Sequence, residues 1–137
     1  MSNITSNTTK NAHLVAALVV VVPVALGYGL LPSFPSCGYL DILFTQNDVP
    51  NIFRAQMGLY LGCCYLWYSG MIKPNFWVPA TYSLILFMGG LGLGRLLSLL
   101  LDGMPSALFF WGTFAELGLA SYALYQLKKH KNPSFKN

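Results

Sequence analysis

Residues 77–101 run WVPATYSLILFMGGLGLGRLLSLLL, a stretch whose only charge is Arg95. About 20 mainly apolar residues cross the hydrocarbon core of a bilayer as a helix. The stretch does not alternate apolar and polar residues, which argues against a barrel strand. In lipid every backbone N–H and C=O must be paired internally, which leaves the helix. On its N-terminal side, residues 72–76 (Ile-Lys-Pro-Asn-Phe) form a short turn, and Asn51–Met71 is a second apolar run. Pro50 and Asn51 supply its turn and N-cap. On the C-terminal side, Asp102-Gly103-Met104 is the tightest link, and Pro105–Leu127 follows with proline in the favoured first turn. Upstream, beyond a loop at 32–50 rich in Pro, Ser, Asn and Asp, lies Ala12–Leu31, with valines at 19–22 and a kink candidate at Pro23. The expected architecture is an all-α integral membrane four-helix bundle, a single membrane domain over 1–137. Its spans are about 12–31, 51–71, 77–101 and 105–127, and residues 128–137 form a basic tail. The short links make spans two, three and four antiparallel neighbours.

The whole chain agrees. Of its 137 residues 9% are charged and 55% hydrophobic, and mean hydropathy is +0.53. Soluble domains carry about 25% charged residues, and a chain this short buries only about two-thirds of its unfolded surface. A soluble globular enzyme is therefore excluded, as is disorder beyond the ends. Six of the eight basic residues fall on one side: Lys10, Lys73, Lys128, Lys129, Lys131 and Lys136. The opposite loops hold Asp41, Asp48 and Asp102 without Lys or Arg. The positive-inside rule places both termini in the cytoplasm. The basic tail is a topology signal that also touches anionic lipid, and nucleic acid is not an expected partner. Trp67, Tyr68, Trp77 and Tyr125 sit where an aromatic belt would. The charged start and Ala25-Leu26-Gly27 also resemble a signal peptide, although the apolar run is long for one. Asn3-Ile-Thr and Asn7-Thr-Thr match glycosylation sequons, idle on a cytoplasmic segment.

Two basic residues remain, Arg54 and Arg95, and one acid, Glu116, also falls within a span. At about 1.5 Å per residue, Arg54 lies roughly 5 Å inside the outer boundary, Arg95 roughly 10 Å below Asp102 and Glu116 roughly 16 Å below Pro105. An ion at mid-bilayer costs at least ~2.5–3.5 kcal/mol, so these groups face protein or water and pair with one another. Arg95, Ser98 and Asp102 share one helix face; Arg54 shares another with Gly58 and Gly62, continued by Tyr65 and Ser69; Glu116 shares a third with Gly112, Ala120 and Ala123. The expectation is that Arg54, Arg95, Asp102 and Glu116 converge between spans two, three and four in the outer half. Such a cluster is a structural ionic network, an outward-open polar pocket, or a contact with a partner subunit.

Other residues carry less. Cys63 and Cys64 are adjacent, Cys37 has no evident partner, and with no Cys-x-x-Cys all three read as small hydrophobes. His13 and His130 lie at the cytoplasmic ends, so facing haem ligands are not expected, nor is a metal. Gly58/Gly62 and Gly90/Gly94 are Gly-x-x-x-Gly pairs; with Gly112 they suit helix packing within the bundle, or dimerisation. The run Gly89-Gly90-Leu91-Gly92-Leu93-Gly94 follows no strand and is no nucleotide fingerprint.

The blocks Asn51-Ile-Phe-Arg54-Ala, Gly58-Leu-Tyr60-Leu-Gly62 and Gly94-Arg95-Leu-Leu-Ser98-Leu-Leu-Leu-Asp102-Gly103-Met-Pro105, with Glu116 beyond, resemble a bacterial group of four-span proteins, domain of unknown function 4345. The likeness covers roughly residues 14–127, and the Gly-Arg…Ser…Asp-Gly-x-Pro block is its most specific part. Ile52 departs from the pattern, where the family usually has an acid. The resemblance implies four membrane helices and no particular reaction. A looser likeness to the DoxX type is a fold-level analogy.

The expected location is a bacterial inner membrane or one derived from it. The expected function is a non-enzymatic accessory subunit of a larger membrane complex, in contact with lipid and other membrane subunits. No cofactor is expected, while bound lipid or pigment is compatible. The alternative is a membrane-embedded binding protein or isomerase for an apolar small molecule, with Glu116 as the acid–base group. A transporter would be expected to show internal repeats and broken helices, which are not evident.

Overall fold

A computed structural model describes residues 2–30 and 47–131, with side chains described for 9–30 and 47–130. Four helices account for nearly all of it: α1 (Ser2–Leu30), α2 (Asp48–Ile72), α3 (Pro74–Leu101) and α4 (Ala107–Lys131). Among the described residues there is no strand. The loop that holds Cys37 and Asp41, and the last residues with Lys136, lie outside the described residues, as do the Asn3 and Asn7 side chains.

The helices are longer than the apolar runs. α1 starts ten residues before Ala12, and α4 continues through Lys128, Lys129 and His130. A helix keeps its own backbone bonds where it leaves lipid, so hydropathy underestimates its length. Pro74 stands in the first turn of α3, where a missing N–H costs nothing. The α2–α3 turn is closed by Lys73 N–H to Ser69 O at 2.9 Å and Phe76 N–H to Lys73 O at 3.0 Å. Asp102 N–H donates to Ser98 O at 2.7 Å at the end of α3, and Gly103, with φ of 91°, turns the chain out. That left-handed conformation is why glycine follows the helix.

α1, α3 and α4 are long and apolar enough to cross a membrane. α2, expected to span at 51–71, is a 25-residue helix but falls outside that group. The physical reason is composition: Arg54, Gln56, Tyr60, Tyr65, Tyr68 and Ser69 dilute its leucines.

Each helix packs on its neighbour in sequence; α1 and α4 meet more slightly, and α2 and α4 lie on the diagonal without close backbone contact. Because all neighbours are antiparallel, Lys10, Lys73 and Lys128–Lys129 gather at one end, here the basic end. The core runs along Leu14, Ala17, Val21 and Ala25 of α1, Tyr60, Cys64 and Trp67 of α2, Ala80, Leu84 and Met88 of α3, and Ala120, Ala123 and Leu127 of α4. Those three- and four-residue spacings are helix stripes. The opposite faces carry exposed Leu, Val, Phe and Trp, such as Leu100, Leu108 and Trp111, as lipid-facing helices do.

Close helix approach does not run through the expected glycines. A Cβ at Gly58, Gly62, Gly90, Gly94 or Gly112 would meet nothing within 4 Å. The intimate contacts are at Gly29 against Met57, Gly70 against Ala80, and Gly92, where a Cβ would lie 2.6 Å from Leu117. Spacing finds Gly-x-x-x-Gly pairs but does not fix which face turns inward.

Candidate functional site

Arg95 leaves the core face of α3 two turns before its end, and Glu116 enters from α4. The Arg95 Nε–H donates to both Glu116 oxygens, at 3.0 Å and 2.9 Å. Their side chains are 27% and 16% exposed, so the pair is sheltered but not sealed. The guanidinium lies 5.0 Å from the Phe109 ring centroid, close enough for cation–π attraction. Among the described residues its terminal nitrogens have no hydrogen-bond partner, which leaves a donor fork unused.

The other expected members stand apart. Asp102 is exposed and accepts a hydrogen bond from Ser98 Oγ at 2.8 Å. It forms no ion pair with Arg95, whose side chain reaches across to α4 instead of along its own helix. Arg54 is exposed and, among the described residues, has no ion pair. The cause is helical phase: Tyr60, Cys64 and Trp67 define the inward face of α2, about a third of a turn from Arg54. α2 also sits diagonally from α4. Among the described residues the four-way convergence is thus corrected to one interhelical pair, one Ser98–Asp102 contact and one exposed arginine.

Residues that hydropathy and charge did not single out line the same half. Gln56 Nε2 donates to the Tyr60 hydroxyl at 3.0 Å. Tyr60 packs edge-on against Phe87 at 4.8 Å and Tyr28 at 6.0 Å. Toward the basic end Trp67, expected in an aromatic belt, is instead fully buried and donates to Ser83 Oγ at 3.0 Å. The signal available was the clustering of tyrosines with Gln56 on the least apolar helix.

A second polar group lies at the basic end. His13 Nε2 is 3.0 Å from Thr81 Oγ1, and Thr81 donates to the Trp77 carbonyl at 2.8 Å. Gln126 Nε2 donates to the Thr9 carbonyl at 2.7 Å and to the Tyr122 hydroxyl at 2.8 Å. His13, placed at the bilayer interface by its position in sequence, is instead fully buried inside the bundle. Cys63 and Cys64 are free thiols, and among the described residues no three His, Cys, Asp or Glu gather as metal ligands.

The family model for domain of unknown function 4345 matches residues 9–127. Neither a curated protein nor a solved structure matches the chain.

Proposed function

The chain belongs to the family described as domain of unknown function 4345, and on that premise we propose that it is a non-enzymatic accessory subunit of a larger membrane complex, docked through α2. The observation that carries this reading is the outward face of α2. Arg54, Gly58, Gly62 and Tyr65 lie along it at helical spacing, all exposed, with Tyr65 at 71%. α2 is also the helix not apolar enough to stand in lipid on composition alone. Lipid chains gain little against bare glycine backbone, and an arginine among them lacks a hydrogen-bond partner. A partner helix answers both needs: its backbone approaches at Gly58 and Gly62, and an acceptor on it takes the Arg54 guanidinium. Both Glu116 oxygens accept from Arg95, which favours a holding role for that pair over proton transfer.

The test uses protein extracted in mild detergent from the membrane in which it is made. Gly58→Leu with Gly62→Leu places side chains where the bundle has open space, so helicity and thermal midpoint should stay near the parent's. Association with the partner should be lost. A parent protein that migrates as a lone 15.1 kDa chain would refute the proposal.

A second reading has its own observation. The unused fork of Arg95, whose guanidinium lies 5.0 Å from the exposed Phe109 ring, suits the carboxylate or phosphate head of an apolar molecule. Mass analysis of co-purified lipids should then find an acid-headed amphiphile that Arg95→Leu with Glu116→Leu no longer retains.

A further inference from the structure

We propose that His13, Trp77 and Gln126 enclose a binding site for buried water at the basic end of the bundle. The inference is independent of the docking face. Among the described residues, the buried side-chain atoms without a hydrogen-bond partner are His13 Nδ1, Trp77 Nε1 and Gln126 Oε1. The three residues are 0%, 3% and 2% exposed. They come from α1, α3 and α4, yet they share one neighbourhood. The His13 ring meets Trp77 edge-on at 5.8 Å and Tyr122 at 6.4 Å, and Gln126 is bonded to that same Tyr122. Buried polar atoms are nearly always paired, so three orphans in one place mark a missing partner and not three separate defects.

The hydrogen inventory identifies that partner. The Thr81 hydroxyl has one proton and gives it to the Trp77 carbonyl. At the His13 contact Thr81 must therefore accept, so His13 carries its proton on Nε2 and Nδ1 presents a bare lone pair. The two protons of the Gln126 amide go to Thr9 and Tyr122, leaving Oε1 as an acceptor. Trp77 Nε1–H is a donor. Two acceptors and one donor complement water, which gives two protons and takes one. A metal ion does not fit, because an indole N–H cannot ligate. A cationic ligand is disfavoured by the Lys10 ammonium, 4.5 Å from the Trp77 ring. Buried water typically makes two to four such bonds. One water, or a short chain of two, therefore ties α1, α3 and α4 together where the direct α1–α4 contact is slight.

The test is NMR of protein labelled with ¹⁵N in histidine and tryptophan, in lipid nanodiscs, with His130 assigned through His130→Gln. The expected result is His13 as the Nε2–H tautomer and a cross-peak between the Trp77 indole proton and a water that exchanges slowly with bulk. The Lys10 carbonyl, one turn back, is the competing partner for the His13 ring, although it makes no geometrically good hydrogen bond to Nδ1. An Nδ1–H tautomer bonded there would overturn the proposal, as would a Trp77 indole proton without a water contact. Trp77→Phe keeps an aromatic ring in place and removes the donor. The His13 Nδ1 nitrogen, freed from a held water, should then shift from its parent position while helicity is retained; an unchanged His13 Nδ1 resonance would also overturn it. Should that variant not fold, the parent's tautomer and indole contact decide the question.

Discussion

Replacing Glu116 by leucine leaves Arg95 without its ion-pair partner, roughly 10 Å below the end of α3. Two unit charges about 4 Å apart attract by about 4 kcal/mol at an effective dielectric of 20. The side chains are 27% and 16% exposed, which places the pair between fully exposed pairs worth about 0–1 kcal/mol and buried pairs whose breakage costs about 3–5 kcal/mol. Discounted for that exposure, Glu116→Leu should cost about 2 kcal/mol of bundle stability. Glu116→Gln should cost less, because its amide oxygen still accepts from Arg95 Nε. The double change Arg95→Met with Glu116→Leu removes both charges. It should therefore recover about 1–2 kcal/mol relative to the sum of the single changes. The assay is unfolding in mixed micelles, followed by far-UV circular dichroism and by tryptophan fluorescence, since Trp67 and Trp77 are both buried. A coupling of 1.4 kcal/mol would be about a tenfold displacement of the folding equilibrium. Coupling below about 0.3 kcal/mol, with single changes that cost nothing, would refute the claim that this pair locks α3 to α4.

Gly70→Val should destabilise the same transition by about 1–3 kcal/mol, because its Cβ meets Ala80 and lies 3.2 Å from the Phe76 carbonyl, with no flexible side chain to yield. Gly62→Ala, in open space, should be neutral or slightly stabilising through helix propensity. Trp67→Phe removes the hydrogen bond to Ser83 and should cost about 1–3 kcal/mol, part of it from the unpaired Ser83 hydroxyl; Ser83→Ala should cost comparably by leaving the indole unpaired, and the double change should be less than additive.

The helices were legible because lipid permits few structures: a chain with 9% charge, three long apolar runs and a more polar fourth has little alternative to helices. The Arg95–Glu116 pairing was legible because both ions stand alone in apolar runs and their depths differ by about one turn. Arg54 and Asp102 misled for different reasons: helical phase turns Arg54 away from the core, while Asp102 shares the face of Arg95 but loses it to Glu116 across the interface and is left with Ser98. The glycines repeat the lesson: Gly92 and Gly70 pack tightly although neither belongs to an evident Gly-x-x-x-Gly pair, while Gly58 and Gly62 face away. His13 was hidden because one histidine near a helix end reads the same whether it faces water or Thr81.

The central claim is that the exposed face of α2 meets another membrane protein. Native mass spectrometry of the protein, released in mild detergent from its own membrane, tests it most directly. The account predicts a species heavier than 15.1 kDa that contains a second polypeptide and is lost from the Gly58→Leu, Gly62→Leu protein even though that protein remains folded. A folded parent chain found only at 15.1 kDa, or a complex indifferent to those two substitutions, would contradict it.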